Sequence, residues 1–354
     1  MYWRLIAALA AGLAVAGCDG NPFGNEADCR ENPFSDPAEC TDEPAPDEGS
    51  VAELPGTVAP SAATPISRYE ARDSGTGAGY AENITFDATT NTFTVDNLGF
   101  DGDNAYSQLS FVGTPLATPL GDFKVYEAAP FITDPVTGAT IQQFQHRLLA
   151  GVSRTNETEF ALVRTGAYIN YGFGGFILKR NVAVTLPTSG QAGYTGGYAG
   201  LRDFEGRGGL EYTTGDMSIA IDFDDFNDGD AVQGQITNRR IFDMSGNDIT
   251  NTVLNAWNTD PSGRYAPATA LPTLIFTVGP NVIDANGELN GKLTSTVAMA
   301  DGSRSAYEAG NYYAIVSGDN ADEVVGVIVV TSEDPRTDNV TARETGGFIL
   351  YRQP

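Results

Sequence analysis

From about residue 80 onward the chain is written in short runs in which apolar and polar residues alternate, and this alternation most constrains its fold. Successive strand side chains point to opposite faces, so a period of two marks strands with one buried face. In NITFDATTNTFTVDNL (83–98) the pairs Ile84, Phe86 and Phe93, Val95 flank the turn-like Ala88–Asn91, which predicts a hairpin. DFKVYEA (122–128), ATIQQFQHRLLAGVS (139–153) and TEFALVRTGAY (158–168) give further strands. After a break at 181–191 come GYTGGYAGLRDF (193–204), GGLEYTT (208–214), DMSIAIDFDDF (216–226) and AVQGQIT (231–237). TLIFTVG (273–279), KLTSTVAM (292–299), GNYYAIVS (310–317) and EVVGVIVVT (323–331) follow. Helical periodicity is confined to a short stretch near Trp257, and the 41 glycines suit many turns and bulges. The pattern predicts an all-β chain of short antiparallel strands, arranged as a sandwich or a closed barrel.

One phrase occurs twice. GGFILKR (174–180) and GGFILYR (346–352) agree at six of seven positions, and each ends a set of strands. Phe-Ile-Leu does not alternate, so both faces of these strands should be covered, and Gly-Gly permits a bulge or close backbone approach. The repeat divides the folded part near residue 185 into segments 80–182 and 183–354.

The first seventeen residues have the form of a signal peptide: Arg4, then an apolar run Leu5–Val15 too short to span a bilayer. Val15-Ala16-Gly17-Cys18 resembles the lipobox of bacterial lipoproteins, which implies an acylated Cys18 and an anchor in a lipid bilayer. The alternative is an ordinary secretory signal with an incidental cysteine. Asp19 resembles an inner-membrane retention signal of enteric bacteria; the outer membrane or cell surface is the favoured address, with the inner membrane left open. Residues 18–79 read as an acidic tether with eight prolines, a composition that cannot bury enough surface to order itself. Within it NPFGNEADC (21–29) is echoed by NPFSDPAEC (32–40), and in an oxidising compartment Cys29 and Cys40 are expected to form a disulfide. Two thiols without a nearby histidine do not complete a tetrahedral metal set.

Loss of the leader would remove one cation, Arg4, and leave 46 acidic against 19 basic groups, a net charge of −27. Such a charge repels nucleic acid and anionic lipid surfaces and favours cationic partners or calcium, or serves solubility alone.

PTSGQAGYTGGYAG (187–200), SIAIDFDDFNDGDAVQGQI (218–236) and GNYYAIVSGDNADEVVGVIVV (310–330) together resemble, in that order, the barrel of transferrin-binding-protein-B-like lipoproteins. Ala321-Asp-Glu323-Val-Val-Gly326 matches that family's Ala-x-Glu-x-x-Gly element, whereas Tyr312-Tyr313-Ala314 replaces its Phe-Tyr-Gly. The resemblance covers roughly 187–354. It implies an eight-stranded antiparallel β-barrel preceded by a smaller antiparallel β "handle", which 80–182 would form. Relatives are membrane-anchored binders of host iron proteins, haem or complement factors, and this chain has the length for one handle and one barrel.

Residue types that carry catalysis are scarce. The single histidine, His146, has no second histidine for zinc or a triad and reads as a plain strand residue, with haem or ligand contact as the alternative. Aspartates 222, 224, 225, 228 and 230 suggest calcium, but an EF-hand register with Gly229 at position six puts Phe226 where a ligand belongs, so a solvated turn is the better reading. GTGAG (75–79) reads as the end of the tether, not a nucleotide loop. Tyr194, Tyr198, Tyr312 and Tyr313 read as barrel packing, and binding is expected on loops 202–208, 244–270 and 300–309. The sequence points to a non-enzymatic binding lipoprotein for a protein or solute, iron or haem among the candidates, with no cofactor of its own. The alternative is a structural envelope lipoprotein without a discrete ligand; a hydrolase lacks a recognisable nucleophile–base pair.

Overall fold

Alternation and turn chemistry place the strands of the computed structural model, which describes residues 51–224, 231–279 and 281–354. All fall within one unit, Ala45–Pro354; the leader, Cys18, Cys29, Cys40 and most of the tether lie outside the described residues, as do Asp225, Asp228 and Asp230.

The first strands are β1 (Ile66–Tyr69), β2 (Glu82–Asp87), β3 (Thr92–Asp96), β4 (Tyr106–Gln108) and β5 (Lys124–Ala128). A small hairpin, β6 (Phe131–Thr133) and β7 (Thr140–Gln142), precedes β8 (His146–Val152), β9 (Thr158–Thr165) and β10 (Gly175–Arg180). Apart from the hairpin these form one antiparallel sheet, ordered β1-β10-β9-β8-β5-β4-β3-β2. Then come β11 (Gln191–Glu205), β12 (Glu211–Asp222), β13 (Val232–Phe242), helix α1 (Thr250–Asn258) and β14 (Leu274–Phe276). β15 (Glu288–Ala298), β16 (Arg304–Ser317), β17 (Glu323–Glu333) and β18 (Thr341–Arg352) complete the chain. The eight strands β11–β18 form a closed antiparallel barrel, sealed by the long β11–β18 ladder from Tyr194↔Arg352 to Glu205↔Thr341. The expected handle sheet and eight-stranded barrel are both present.

Local chemistry explains the main departures from the alternation pattern. Residues 51–79, expected in the tether, are folded: β1 pairs with β10, and Leu54 and Ile66 are buried. Glu211–Thr214 and Asp216–Asp222, read as parts of two strands, belong to one, β12, interrupted between Thr214 and Asp216 by a register shift at Gly215, where a Cβ would lie 2.8 Å from Ile236 Cγ2. The run 139–153 divides into β7 and β8.

The barrel is filled. Tyr194, Met217, Ile219, Ile236, Phe276, Leu293, Tyr312, Ile328 and Phe348 belong to a single interior cluster. Tyr312 stacks on Phe276 with ring centroids 3.9 Å apart. Outward positions such as Gln233, Gln235, Lys292 and Thr294 are polar and at least partly exposed, the reverse of a lipid-facing barrel. Near the three-residue β14 the ladder is thin, and buried charge bridges the gap. Arg239 on β13 donates to both Glu308 oxygens at 2.8 Å and to Glu344 at 3.0 Å. Burial alone would raise the Glu344 carboxyl, but Arg239 and Arg202 hold it below the usual carboxylate range. The void beside this network is about 10 Å³, room for roughly one water.

The repeated phrase lies at the contact between sheet and barrel. On the sheet side Phe160, Leu162, Phe176 and Leu178 face Val325, Val327, Val329 and Ile349 of the barrel's outer wall. The opposite faces of these strands are also covered: Ala161 and Val163 enter the sheet's own core, and Phe348 and Leu350 fill the barrel. Two-sided burial is why Phe-Ile-Leu does not alternate. Its glycines admit close neighbours: a Cβ on Gly346 would meet the Tyr198 hydroxyl at 2.2 Å, and one on Gly347 the Phe160 ring at 2.2 Å.

Gly347→Ala should therefore destabilise the chain by about 1–3 kcal/mol through overpacking, and Phe160→Leu in the same chain should recover part of that loss. Urea unfolding of both variants checks this; equal stability of Gly347→Ala and wild type would refute the close approach.

Candidate functional site

Two segments far apart in sequence meet at one end of the sheet, where it adjoins the barrel. Ser74, Gly75 and Gly77 form one lip of an open hollow of about 410 Å³; Ala167, Tyr168, Ile169, Asn170, Tyr171 and Phe173 form the other. Gly77 adopts φ +70°, and a Cβ there would lie 2.8 Å from the Gly172 carbonyl oxygen, so glycine lets the lips approach. The backbone then stitches them: Gly174 N donates to Gly77 O at 3.0 Å, and Tyr80 N to Gly174 O at 2.8 Å.

Buried charge fixes both lips. Arg164 on β9 makes a bidentate pair with Glu70 (2.9 and 2.6 Å) and donates to Thr345 Oγ1 on β18. Glu70 also accepts Gly79 N at 2.9 Å, which anchors the 74–79 lip. Arg343 on β18 pairs with Asp203 and donates to Thr76 O (2.9 Å) and Gly172 O (3.2 Å), one carbonyl from each lip. Its guanidinium also stacks over Tyr171, 4.4 Å from the ring centre. The barrel loop supports the second lip through Gly206 N→Ile169 O and Gly209 N→Gly166 O. Burial would raise the Glu70 carboxyl, but Arg164 and then Arg343 hold it below the usual range. Both guanidiniums are buried.

An aromatic train runs from the hollow across the sheet's end. Tyr80–Phe173, Phe173–Tyr168, Tyr168–Phe144 and Phe144–Phe100 have centroid separations of 4.8, 5.3, 5.1 and 5.0 Å. Most of these rings are half-buried, but Phe100 is 65% exposed and Ile169 73% exposed. Phe131, Val136 and Ile141 of the β6–β7 hairpin are also exposed. Gly102 seats this hairpin against the 97–105 turn, since a Cβ there would be 2.3 Å from Ile132 Cγ2. The assembly is an apolar surface on a rigid support, suited to receiving side chains of another protein.

The residues singled out from sequence fall mostly elsewhere. Tyr194, Tyr198 and Tyr312 are inside the barrel: Tyr194 donates to Ala321 O (2.8 Å) and Tyr198 to Glu344 (2.7 Å), while Tyr313 packs toward the sheet. His146 is fully buried at the start of β8. Of the expected loops, 202–205 lies in β11, with Arg202 and Asp203 in buried ion pairs. In 300–309, residues 304–309 continue β16, and 244–270 contains α1 with Val253, Leu254 and Trp257 turned inward. GTGAG (75–79) is a lip of the hollow and not the end of a tether. Sequence reasoning missed the hollow; the one signal was the off-period cluster Tyr168, Tyr171, Phe173 among glycines 172, 174 and 175.

No protein-family model matches the chain, and no curated protein sequence does. Among solved structures it is similar to a double mutant of transferrin-binding protein B from Haemophilus parasuis Hp5, at 12% identity and a TM-score of 0.36. That match covers 76% of this chain and 44% of the other. A single mutant of the same protein gives 12% identity and a TM-score of 0.33, covering 74% and 43%. Intact Ap-TbpB, with N and C lobes, gives 13% identity and 0.32, covering 74% and 44%. The chain thus spans less than half the length of each of these proteins.

Glu70→Gln leaves Arg164 buried without its counter-charge and should cost about 3–5 kcal/mol. Because the folded Glu70 titrates below its unfolded value of 4.5, its contribution is complete above that value and disappears as pH falls through the lowered one. The variant should therefore show a shallower acid loss of stability than wild type in urea titrations at successive pH values; parallel slopes would contradict the assignment.

Proposed function

We propose that this chain is a membrane-anchored extracytoplasmic lipoprotein that binds a protein partner through the hollow and its aromatic rim, without catalysis. The pinned hollow is the observation that carries this reading. Buried ion pairs hold its lips before any partner arrives, which lowers the ordering cost of association. The barrel leaves its partner no alternative inside, since its interior is packed with side chains. A formal charge of −26 favours a partner with a cationic surface and fast, salt-sensitive encounter.

The address follows from the sequence: acylation at Cys18 would tether the protein to the outer membrane or cell surface, and residues 18–50, with a Cys29–Cys40 disulfide, would serve as the spacer. Iron- and haem-carrying proteins are the first partners to try, because the sequence resemblance to transferrin-binding-protein-B-like lipoproteins points to them.

The test uses the mature chain with Cys18→Ala, immobilised and exposed in turn to iron-carrying and haem-carrying proteins, with absorption spectra taken for bound haem. Saturable binding to one of them is expected, weakened at least tenfold by Phe100→Asp with Ile169→Asp. Capture of neither partner nor chromophore, or equal binding by the double variant, would overturn the reading and leave a structural envelope role.

A further inference from the structure

The chain contains one histidine, and the fold buries it directly behind the aromatic rim. His146 Nδ1 lies 3.2 Å from the Phe144 carbonyl oxygen. That oxygen only accepts, so Nδ1 carries the proton and Nε2 is left as the bare acceptor. Nε2 is buried and meets no donor among the described residues. A neutral ring fits this environment at modest cost. A charged ring would place a second N–H where no acceptor waits, and charge without a partner is expensive to bury.

The surrounding charges leave that cost largely in place. β8 alternates: Leu148 and Ala150 belong to the sheet's own core, whereas Leu149 faces the barrel, so His146 shares the core side. On the barrel side Arg147 donates to Tyr212 and pairs with Glu127, and Arg164, its cross-strand neighbour, is engaged by Glu70. The residue opposite His146 on β9 is Thr165, whose hydroxyl donates to Gln145 O. From the 97–105 turn comes Asp101, the one carboxylate with an electrostatic pull on the ring. Asp101 is already engaged by Asp103 N at 3.1 Å and by the hydroxyl of Tyr106, from β4, at 3.2 Å. Burial pushes His146 below its ordinary value, and the Phe144 carbonyl and Asp101 only partly offset this.

The ring is mechanically coupled to the rim. Phe144 O receives His146, and Phe144 N donates to Phe100 O at 2.7 Å. Phe144 also links Phe100 to Tyr168 in the aromatic train. A movement of the histidine therefore acts on the residue that joins the exposed Phe100 to the hollow.

We propose that His146 is an acid-sensitive latch for the partner-binding rim: charging its ring frees the 97–105 turn from residues 143–146 and disperses the aromatic train. Its functional meaning, release of a bound partner in acidic surroundings, rests on the binding role proposed above. The direction is fixed by linkage. A histidine whose folded value lies below its unfolded value of 6.5 contributes stability above 6.5, and that stability declines as pH falls below it.

Hydrogen exchange of the full chain, followed by mass spectrometry between pH 7.5 and 5.0 and corrected for intrinsic rates, tests the latch directly. In wild type, peptides spanning 97–106 and 140–146 should lose at least tenfold in protection relative to β17–β18. In His146→Asn, whose amide still donates to Phe144 O but does not ionise, the same peptides should show no such pH dependence. His146→Met serves as a second uncharged variant where the asparagine loosens the site at pH 7.5. A flat profile in wild type, or an equal loss in the uncharged variants, would overturn the proposal. Partner capture at pH 7.5 is a separate readout, so failure of the binding role and failure of the latch are distinguishable.

Discussion

The structure depends on a sheet that is buried on both sides. β8, β9 and β10 send alternate side chains into the sheet's own core and against the outer wall of β17 and β18. Both surfaces of these strands are largely covered, so their burial is complete only while sheet and barrel stay together. The barrel strands in this contact have the same property, with Phe348 and Leu350 inside and Ile349 outside. Apolar area removed from water is the dominant favourable term in folding, and here one contact completes it for both bodies.

Polar groups specify that contact more than they strengthen it. Arg164, Arg180 and Arg343 are each buried in it and hydrogen-bonded to several partners. Arg180 alone donates to the carbonyls of Ser61, Thr64, Asn286 and Val316. Buried ion pairs contribute little net stability against an apolar replacement, but a mispaired one is costly, so they exclude alternative placements of sheet on barrel. Arg164, through Glu70, and Arg343 also hold the lips of the hollow, which ties its shape to the correctness of the fold.

How much was legible in the sequence follows from which signals are local. The hairpin at β2–β3, the helix near Trp257 and the strand character of both GGFIL phrases each come from a contiguous pattern, and all are present. β1 was invisible because it has four residues in a proline-rich stretch, too few to display a period. β12 was split because the register shift at Gly215 breaks its alternation. Residues 304–309 looked like a loop because the β15–β16 hairpin extends past the packed core into solvent, where its side chains need not be apolar. The hollow was beyond reach for a different reason. Its lips are about a hundred residues apart and carry no shared motif, and they meet only once the chain is folded.

That contact is best tested by native-state hydrogen exchange in low denaturant, comparing slowly exchanging amides of β9–β10 with those of β17–β18. If each body completes the other's core, both sets should open in a single event with the same free energy and the same denaturant dependence. Opening of β9–β10 at a clearly lower free energy, with β17–β18 still protected, would mean that the barrel stands alone and would contradict the account.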